Sequence, residues 1–154
     1  VELILSRTFC PGKFIVLIAV EVGDVQAAVE AGSARAQEAL VDKFVIPNVH
    51  PDIFPAIAGN SGVSELDAFG VVETFSVASL IEAADAAVKS ANVRFVEIRL
   101  AMALGGKAFA SFTGTVADVE TAAMTAAITA GEKGLLSNKV VIPQPRPELL
   151  KELL

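Results

Sequence analysis

The chain has 154 residues, 53% of them hydrophobic and 19% charged, which is enough apolar material for one or two small domains. Its net charge of −6, without any run of Lys or Arg, argues against nucleic-acid binding, which needs a basic patch. No apolar stretch reaches about 18 residues and no signal-peptide pattern is present, so neither a membrane span nor secretion is expected. The single cysteine cannot form an intrachain disulfide, which favours a reducing cytosolic setting.

The first part of the chain is predicted to form a strand hairpin, a helix and a further strand. Cys10, Pro11 and Gly12 interrupt two apolar runs, because proline fixes φ and glycine permits positive φ. The helix is expected to pack one apolar face on the sheet. In chain order, the predicted elements are strands at residues 1–7 and 14–21, a helix capped by Asp24 and ending near Leu40, a strand at 43–47 and a proline- and glycine-bearing connection at 50–62.

The remainder is predicted to alternate strands and helices. Residues 68–74 are almost continuously apolar, which is typical of a strand buried on both faces. The predicted elements are a strand at 68–74, a helix at 77–92 capped by Ser76, a strand at 93–101, a glycine turn at 104–107, a strand at 108–113, a helix from Asp118 to about Gly131, a strand at 139–142 and a short helix at 147–154.

These segments form an internal repeat. When Lys13 is aligned with Lys107, the predicted helices that begin near Asp24 and Asp118 coincide, and after a two-residue insertion the Val-Ile-Pro endings of both last strands coincide as well. The second copy is complete, with the order β-α-β-β-α-β, whereas the first has no counterpart of its opening strand and helix. The expected domains are residues 1–62 and 63–154. We expect a strand and a helix ahead of Val1, or their supply by another chain, since a half-repeat leaves a sheet edge exposed.

Several motifs resemble the shell domain of bacterial microcompartments. They are Gly-Val-Val-Glu-Thr at residues 70–74, Ala-Ala-Asp-Ala-Ala-Val-Lys-Ser-Ala-Asn-Val at 83–93, Gly-Asp-Val-Gln-Ala-Ala-Val-Glu-Ala-Gly at 23–32 and Val-Ile-Pro at 45–47 and 141–143. The resemblance implies an α/β (α+β) fold of two ferredoxin-like βαββαβ shell domains in tandem, the first lacking its opening strand and helix. It also departs from the family pattern, because Gln144 stands where the family usually has an arginine that contacts a neighbouring tile.

The tandem class of this family implies a homotrimer that mimics a six-sided tile. The loop around Cys10 is similar to that of an iron–sulfur shell protein of the propanediol-utilisation microcompartment, where the cysteine loop lines a central pore. The resemblance therefore implies pore-loop residues from both copies and a tile-edge role for Lys89. The expected pore-loop residues are Thr8, Phe9, Cys10, Pro11, Gly12, Leu104, Gly105 and Gly106.

Cys10 permits two interpretations. It is either a free thiol in an ordinary pore or a ligand of a [4Fe–4S] cluster. A cubane normally takes four thiolates, so one cysteine per chain suffices only where several chains meet, and a three-fold axis supplies three. The resemblance favours such a shared cluster on the axis, with Cys10 as the cofactor-binding and metal-binding residue, for electron transfer across the shell.

No catalytic residue is expected. Asp24 and Asp118 are interpreted as helix caps, and no partner for acid–base work lies near Glu73 in the sequence. The expected partners are the chain itself, other shell proteins edge to edge and redox enzymes of the compartment lumen, in the shell within the bacterial cytoplasm. Two alternatives stay open: a tandem shell protein with an ordinary metabolite pore, and a small-molecule sensor on a ferredoxin-like module.

Overall fold

The structure, a computed structural model, describes residues 1–9, 12–101 and 105–153, and it contains two antiparallel sheets. The strands are β1 (Glu2–Phe9), β2 (Lys13–Ala19), β3 (Ala68–Thr74), β4 (Arg94–Leu100), β5 (Ala108–Gly114) and β6 (Leu136–Ile142). The helices are α1 (Val22–Ala36), α2 (Ile53–Ile57), α3 (Val77–Ser90), α4 (Val116–Glu132) and α5 (Glu148–Leu153), with a 3-10 turn at Gln37–Ala39.

The second repeat forms a complete sheet with the strand order β4-β5-β3-β6. The predicted strand at 68–74 is confirmed as β3, which lies between β5 and β6 and is buried along most of its length. Helices α3 and α4 pack against each other and cover one face of this sheet. Phe112 of β5 is fully buried beneath them, and small residues such as Ala84 and Ala126 let the helices approach closely.

The C-terminal helix covers part of the opposite face of the same sheet. Val63, Phe69 and Val96 form a small buried cluster there, against which Leu149 and Leu153 of α5 pack. The predicted short helix is therefore confirmed, and the second repeat carries apolar cover on both faces.

Of the predicted helix caps, only the one of α3 is confirmed. Ser76 is the N-cap of α3, and its hydroxyl accepts the backbone N–H of Ser79 at 3.2 Å. The predicted caps Asp24 and Asp118 were wrong. α1 begins after Glu21, which makes no side-chain cap bond, and α4 is capped by Thr115, which accepts the N–H of Asp118. Both aspartates instead lie in the first helical turn, where a carboxylate is favoured by the helix dipole.

Among the described residues, the sheet of the first repeat has only two strands, β1 and β2. Its hairpin is confirmed, because β1 and β2 pair antiparallel from Glu2 opposite Ala19 to Phe9 opposite Lys13. The predicted strand at residues 43–47 was wrong: this segment is irregular. The physical reason follows from the second repeat, where the corresponding strand β6 obtains its hydrogen bonds from β3. The described residues of the first repeat include no counterpart of β3, so residues 43–47 have no strand beside them to pair with.

The predicted packing of α1 was also wrong, since none of its residues is buried. In the second repeat, α4 packs mainly against α3, β3 and β6. Among the described residues, α3 and β3 have no counterpart beside α1, and the counterpart of β6, at residues 43–47, is irregular. The apolar face of α1 therefore stays accessible, although its spacing matches that of α4.

Candidate functional site

The first predicted pore loop closes the β1–β2 hairpin. Phe9 pairs with Lys13 across the hairpin, so the loop consists of the residues between them. Gly12 has φ 73°, a left-handed conformation that glycine adopts without a Cβ penalty, and open space surrounds the position where a Cβ would lie. Thr8 is exposed and Phe9 packs against the core. Cys10 and Pro11 lie outside the described residues, so their predicted roles stay predictions.

The second predicted pore loop joins β4 to β5. Leu104 lies outside the described residues, whereas Gly105 and Gly106 have φ of 61° and 88°. Ala101, at the start of the connection, also has a positive φ of 58° and is fully buried. A left-handed alanine costs about 1–2 kcal/mol, so the surrounding packing must hold this turn in place.

The base of the second loop is held by a polar cluster that sequence reasoning missed. Lys107 follows Gly106 directly, and its Nζ donates to Glu73 Oε2 at 3.2 Å and lies 5.2 Å from the ring centroid of Phe75. The hydroxyl of Ser137 donates to the same carboxylate oxygen at 2.6 Å. These residues are far apart in sequence and meet only because β3 lies between β5 and β6, so no local motif could have identified them.

This cluster fixes the charge of Glu73. The hydrogen bond from Ser137 lowers the pKa of the Glu73 carboxyl below 4.5, and the ammonium of Lys107 acts in the same direction, while partial burial opposes both. Glu73 is therefore a carboxylate at neutral pH. It anchors Lys107 and shows no arrangement for proton transfer among the described residues.

The structure places described parts of both loops beside one cavity. Phe9, Gly12 and Gly106 all line a cavity of about 590 Å³, whose other walls are formed by β2, α1 and residues 39–44. The two loops therefore lie at the same end of the molecule. A shared pore lining requires this arrangement, although the pore role of each residue stays a prediction.

Lys89, the predicted tile-edge residue, lies at the junction of the two repeats. Its Nζ contacts Asp85 Oδ2 at 2.5 Å and also donates to the carbonyl of Asn48. Asp85 in turn accepts the backbone N–H of His50 at 2.7 Å. The side chain of Lys89 remains 40% exposed, so its edge role is compatible with this junction and stays a prediction.

Neither a metal-binding group nor a membrane helix is found in the described residues. Within residues 1–9, 12–101 and 105–153, no three His, Cys, Asp or Glu side chains cluster in a way that would hold a metal ion. In the same part of the chain, no helix has the length and apolar character required to cross a bilayer.

A match to a family model defines the class of protein. The BMC domain matches the chain twice, at residues 1–49 and 68–145, in agreement with the internal repeat. The predicted boundary between residues 62 and 63 stays a prediction.

Individual relatives then define the family. The chain is 44% identical over 153 residues to the bacterial microcompartment shell protein PduT of Citrobacter freundii, covering 99% of this chain and 83% of that protein. It is 37% identical over 84 residues to the shell protein EutM of Escherichia coli K12, covering 54% of this chain and 84% of that protein. A solved microcompartment protein from Desulfitobacterium hafniense superposes with a TM-score of 0.89 at 45% identity, covering 97% of this chain and 83% of that one.

The chain therefore belongs to the bacterial microcompartment shell proteins, with two BMC domains in tandem. The predicted tandem ferredoxin-like fold is confirmed. These relatives carry the names of shell proteins and not of enzymes.

Proposed function

We propose that this shell protein forms a homotrimer of pseudo-six-sided shape whose central pore holds a [4Fe–4S] cluster through Cys10 of each chain, for electron transfer across the shell. The observation that carries the proposal is the position of Cys10. It is the only cysteine of the chain, and in the sequence it stands between Phe9 and Lys13, which pair across the β1–β2 hairpin.

The chemistry of the donor set supports a cluster shared between chains. A [4Fe–4S] cluster is normally held by four thiolates. One chain offers a single thiol, and its described residues hold no cluster of other metal-ligating side chains. Three chains around an axis would supply three thiolates and leave one iron for water or a small ligand. A cluster in this position supplies one-electron transfer.

The loop around Cys10 suits this role. Gly12 carries no side chain, and the space next to it is open, so other groups can approach the backbone closely. Backbone N–H groups near a cluster can donate to its sulfur atoms and tune its reduction potential. Thr8 is exposed on the last part of β1 and lies opposite Phe14 of β2, which is 60% exposed.

The contact between the repeats supports a ring of copies. Phe44 and Ile46 of the first repeat pack against the core of the second. Their counterparts in the second repeat, Val140 and Ile142, are 46% and 36% exposed. A contact that uses one face of one unit and a different face of the next is heterologous, and it closes into a ring when the rotation allows it. We propose that another copy covers Val140 and Ile142.

We further propose that the trimer packs edge to edge with other shell proteins of a compartment in the bacterial cytoplasm, with Lys89 at the edge, and that redox enzymes of the lumen exchange electrons with it. Catalysis by the chain itself forms no part of the proposal. The Glu73 cluster is a structural anchor, because its carboxylate is already paired with Lys107 and Ser137.

Anaerobic purification followed by visible absorbance and electron paramagnetic resonance after reduction tests the cluster. Wild-type protein is expected to be coloured and to give an iron–sulfur signal. Cys10→Ser should lose iron while keeping its oligomeric state, and Ser6→Ala, at an exposed position of β1 outside the predicted pore loops, serves as the matched control that keeps both. Iron retained by Cys10→Ser would place the cluster elsewhere, and colourless wild-type protein would favour an ordinary metabolite pore.

The cavity next to the loops is the observation that favours the second candidate function, a small-molecule sensor. Cavities of this size commonly hold small molecules, and this one is lined mostly by apolar residues. A sensor would bind a ligand without forming two-dimensional arrays. Tiled sheets seen by electron microscopy of the purified protein would argue against that alternative.

A further inference from the structure

The outer face of α4, which points away from α3 and the sheet, is apolar and uncovered in the described chain. Met124 and Ile128, one helical turn apart, are 51% and 55% exposed. Thr121 and Thr129 belong to the same face, and their hydroxyls donate to carbonyls of the helix itself at 2.8 and 2.9 Å. Because these hydroxyls are already bonded, the threonines contribute mainly their methyl groups to the surface.

The equivalent face of α1 is charged. When the repeats are aligned at Lys13 and Lys107, Glu30 stands at the position of Met124 and Arg35 at the position of Thr129. Both of these charged residues are exposed. The fold that the two helices share therefore does not require an apolar outer face. An exposed apolar patch on one helix alone indicates a contact that α4 makes and α1 does not.

The contact between the two repeats does not use this face. The residues of the first repeat that pack against the second belong to β1, β2 and the segment 44–57, and none belongs to α1. Among the described elements, α1 makes no extensive contact with the second repeat. A ring that repeats this contact between chains would therefore leave α4, the counterpart of α1, outside the contact.

One cation and one anion flank the apolar face. Lys139 of β6 places its Nζ atom 3.5 Å from Sδ of Met124, at one end of the face. Glu132 is exposed at the last turn of α4, one turn beyond Ile128. Within residues 1–9, 12–101 and 105–153, neither Lys139 nor Glu132 belongs to an ion pair. A face with opposite charges at its two ends is complementary to a second copy of itself across a two-fold axis.

The residue spacing defines the register of such a pair. Met124, Ile128 and Glu132 follow each other at intervals of four and form a ridge that can pack into the groove of an identical helix. If two α4 helices lie antiparallel with Ile128 on the axis, Glu132 lies opposite Met124 of the second copy, and therefore beside its Lys139. An axis midway between Met124 and Ile128 would instead place Glu132 opposite Glu120, and like charges disfavour that register.

We propose that α4 of one chain docks antiparallel against α4 of a second copy, with Ile128 on the two-fold axis and an ion pair between Lys139 and Glu132 on each side. One helix pair is smaller than a standard interface of about 1,600 Å², so the contact between two single chains is weak. It weakens further with salt, because exposed charges are screened. The contact uses neither Cys10 nor a three-fold axis, so it stands or fails separately from the cluster.

Disulfide trapping tests the contact, since it detects weak pairs. In the full chain with Cys10→Ser, Ile128→Cys places a thiol on the proposed axis, where the thiols of two copies meet. The matched control is Ala34→Cys, at the equivalent exposed position of α1. Under a mild oxidant, Ile128→Cys is expected to form the linked dimer about tenfold faster than Ala34→Cys, because docking raises the local thiol concentration. Non-reducing electrophoresis measures both rates.

Charge reversal tests the register. Added to Ile128→Cys, Glu132→Lys should slow the linking several-fold, and Lys139→Glu in the same chain should restore it, since the ion pair is rebuilt with its signs exchanged. Equal linking at positions 34 and 128 would overturn the proposal. So would a loss with Glu132→Lys that Lys139→Glu does not restore. A different protein as the occupant of this face would leave Ile128→Cys unlinked in the purified protein, and that result would also overturn the proposal.

Discussion

The two repeats have the same spacing of small apolar residues, but only the second has a four-stranded sheet covered by packed helices. Their second helices, α1 and α4, share the spacing of small apolar residues, but only α4 has buried residues. Their second hairpin strands, β2 and β5, differ in the same way, because β5 has neighbours on both sides and β2 has one. The comparison shows that an amphipathic face is buried only when its tertiary partners are present, whatever its local sequence predicts.

The largest expected difference is between two Phe→Ala substitutions, one in each repeat. Phe112→Ala should cost about 3–5 kcal/mol of unfolding free energy, because it removes a fully buried side chain from the closed core. Phe14→Ala should cost about 1 kcal/mol or less, since Phe14 is 60% exposed. Urea denaturation of both variants measures the contrast. Equal costs would mean that the first repeat is closed in solution.

A smaller effect is expected at the junction between the repeats. Asp85→Ala removes the acceptor of the His50 N–H and of Lys89, so it should destabilise the protein by about 1–3 kcal/mol. Asp85→Asn keeps an acceptor oxygen for His50 and is the matched control, with less than half of that loss expected. Thermal unfolding compares the two, and an identical loss in both would show that the charge, and not the His50 bond, holds the junction.

The smallest expected effect concerns the anchor of the second loop and depends on pH. Glu73 has a pKa lowered below 4.5 in the folded protein, so its contribution is present above the unfolded value and is lost as the pH falls through the folded value. Ser137→Ala should therefore cost about 1 kcal/mol near pH 7 and less near pH 3.

The matched control for that pH effect is Ser90→Ala. The Ser90 hydroxyl donates to the carbonyl of Ala87 and touches no carboxylate, so its loss should be the same at both pH values. Urea denaturation at the two pH values measures both variants. If the stability loss of Ser137→Ala does not change with pH, the contribution of Ser137 does not depend on the charge of Glu73.

Sequence alone predicted the parts of the fold that depend on local signals and on the repeat. The hairpin around Gly12 and the cap at Ser76 follow from residue chemistry, and the tandem organisation follows from the alignment of Lys13 with Lys107. The irregular segment at residues 43–47 could not be predicted from its own residues, because its conformation depends on a strand that would have to lie beside it. The short helix Ile53–Ile57 was missed because its proline suggested a plain connection.

The candidate site was predictable to a similar extent. The loop positions were located from glycine and proline, and the described parts of both loops line one cavity. The cluster of Glu73, Lys107 and Ser137 could not be found, because it depends on the register in which β3 pairs with β5 and β6. Charged pairs between strands carry no signature in a single sequence.

Native mass spectrometry of protein purified without oxygen tests the proposed function most directly, since it reports chain number and bound iron together. The expected species is three chains that carry one cluster, or about 1.3 iron atoms per chain. Cys10→Ser should give three chains with no added mass. A wild-type trimer without iron and sulfide, or a cluster carried by a single chain, would contradict the proposal.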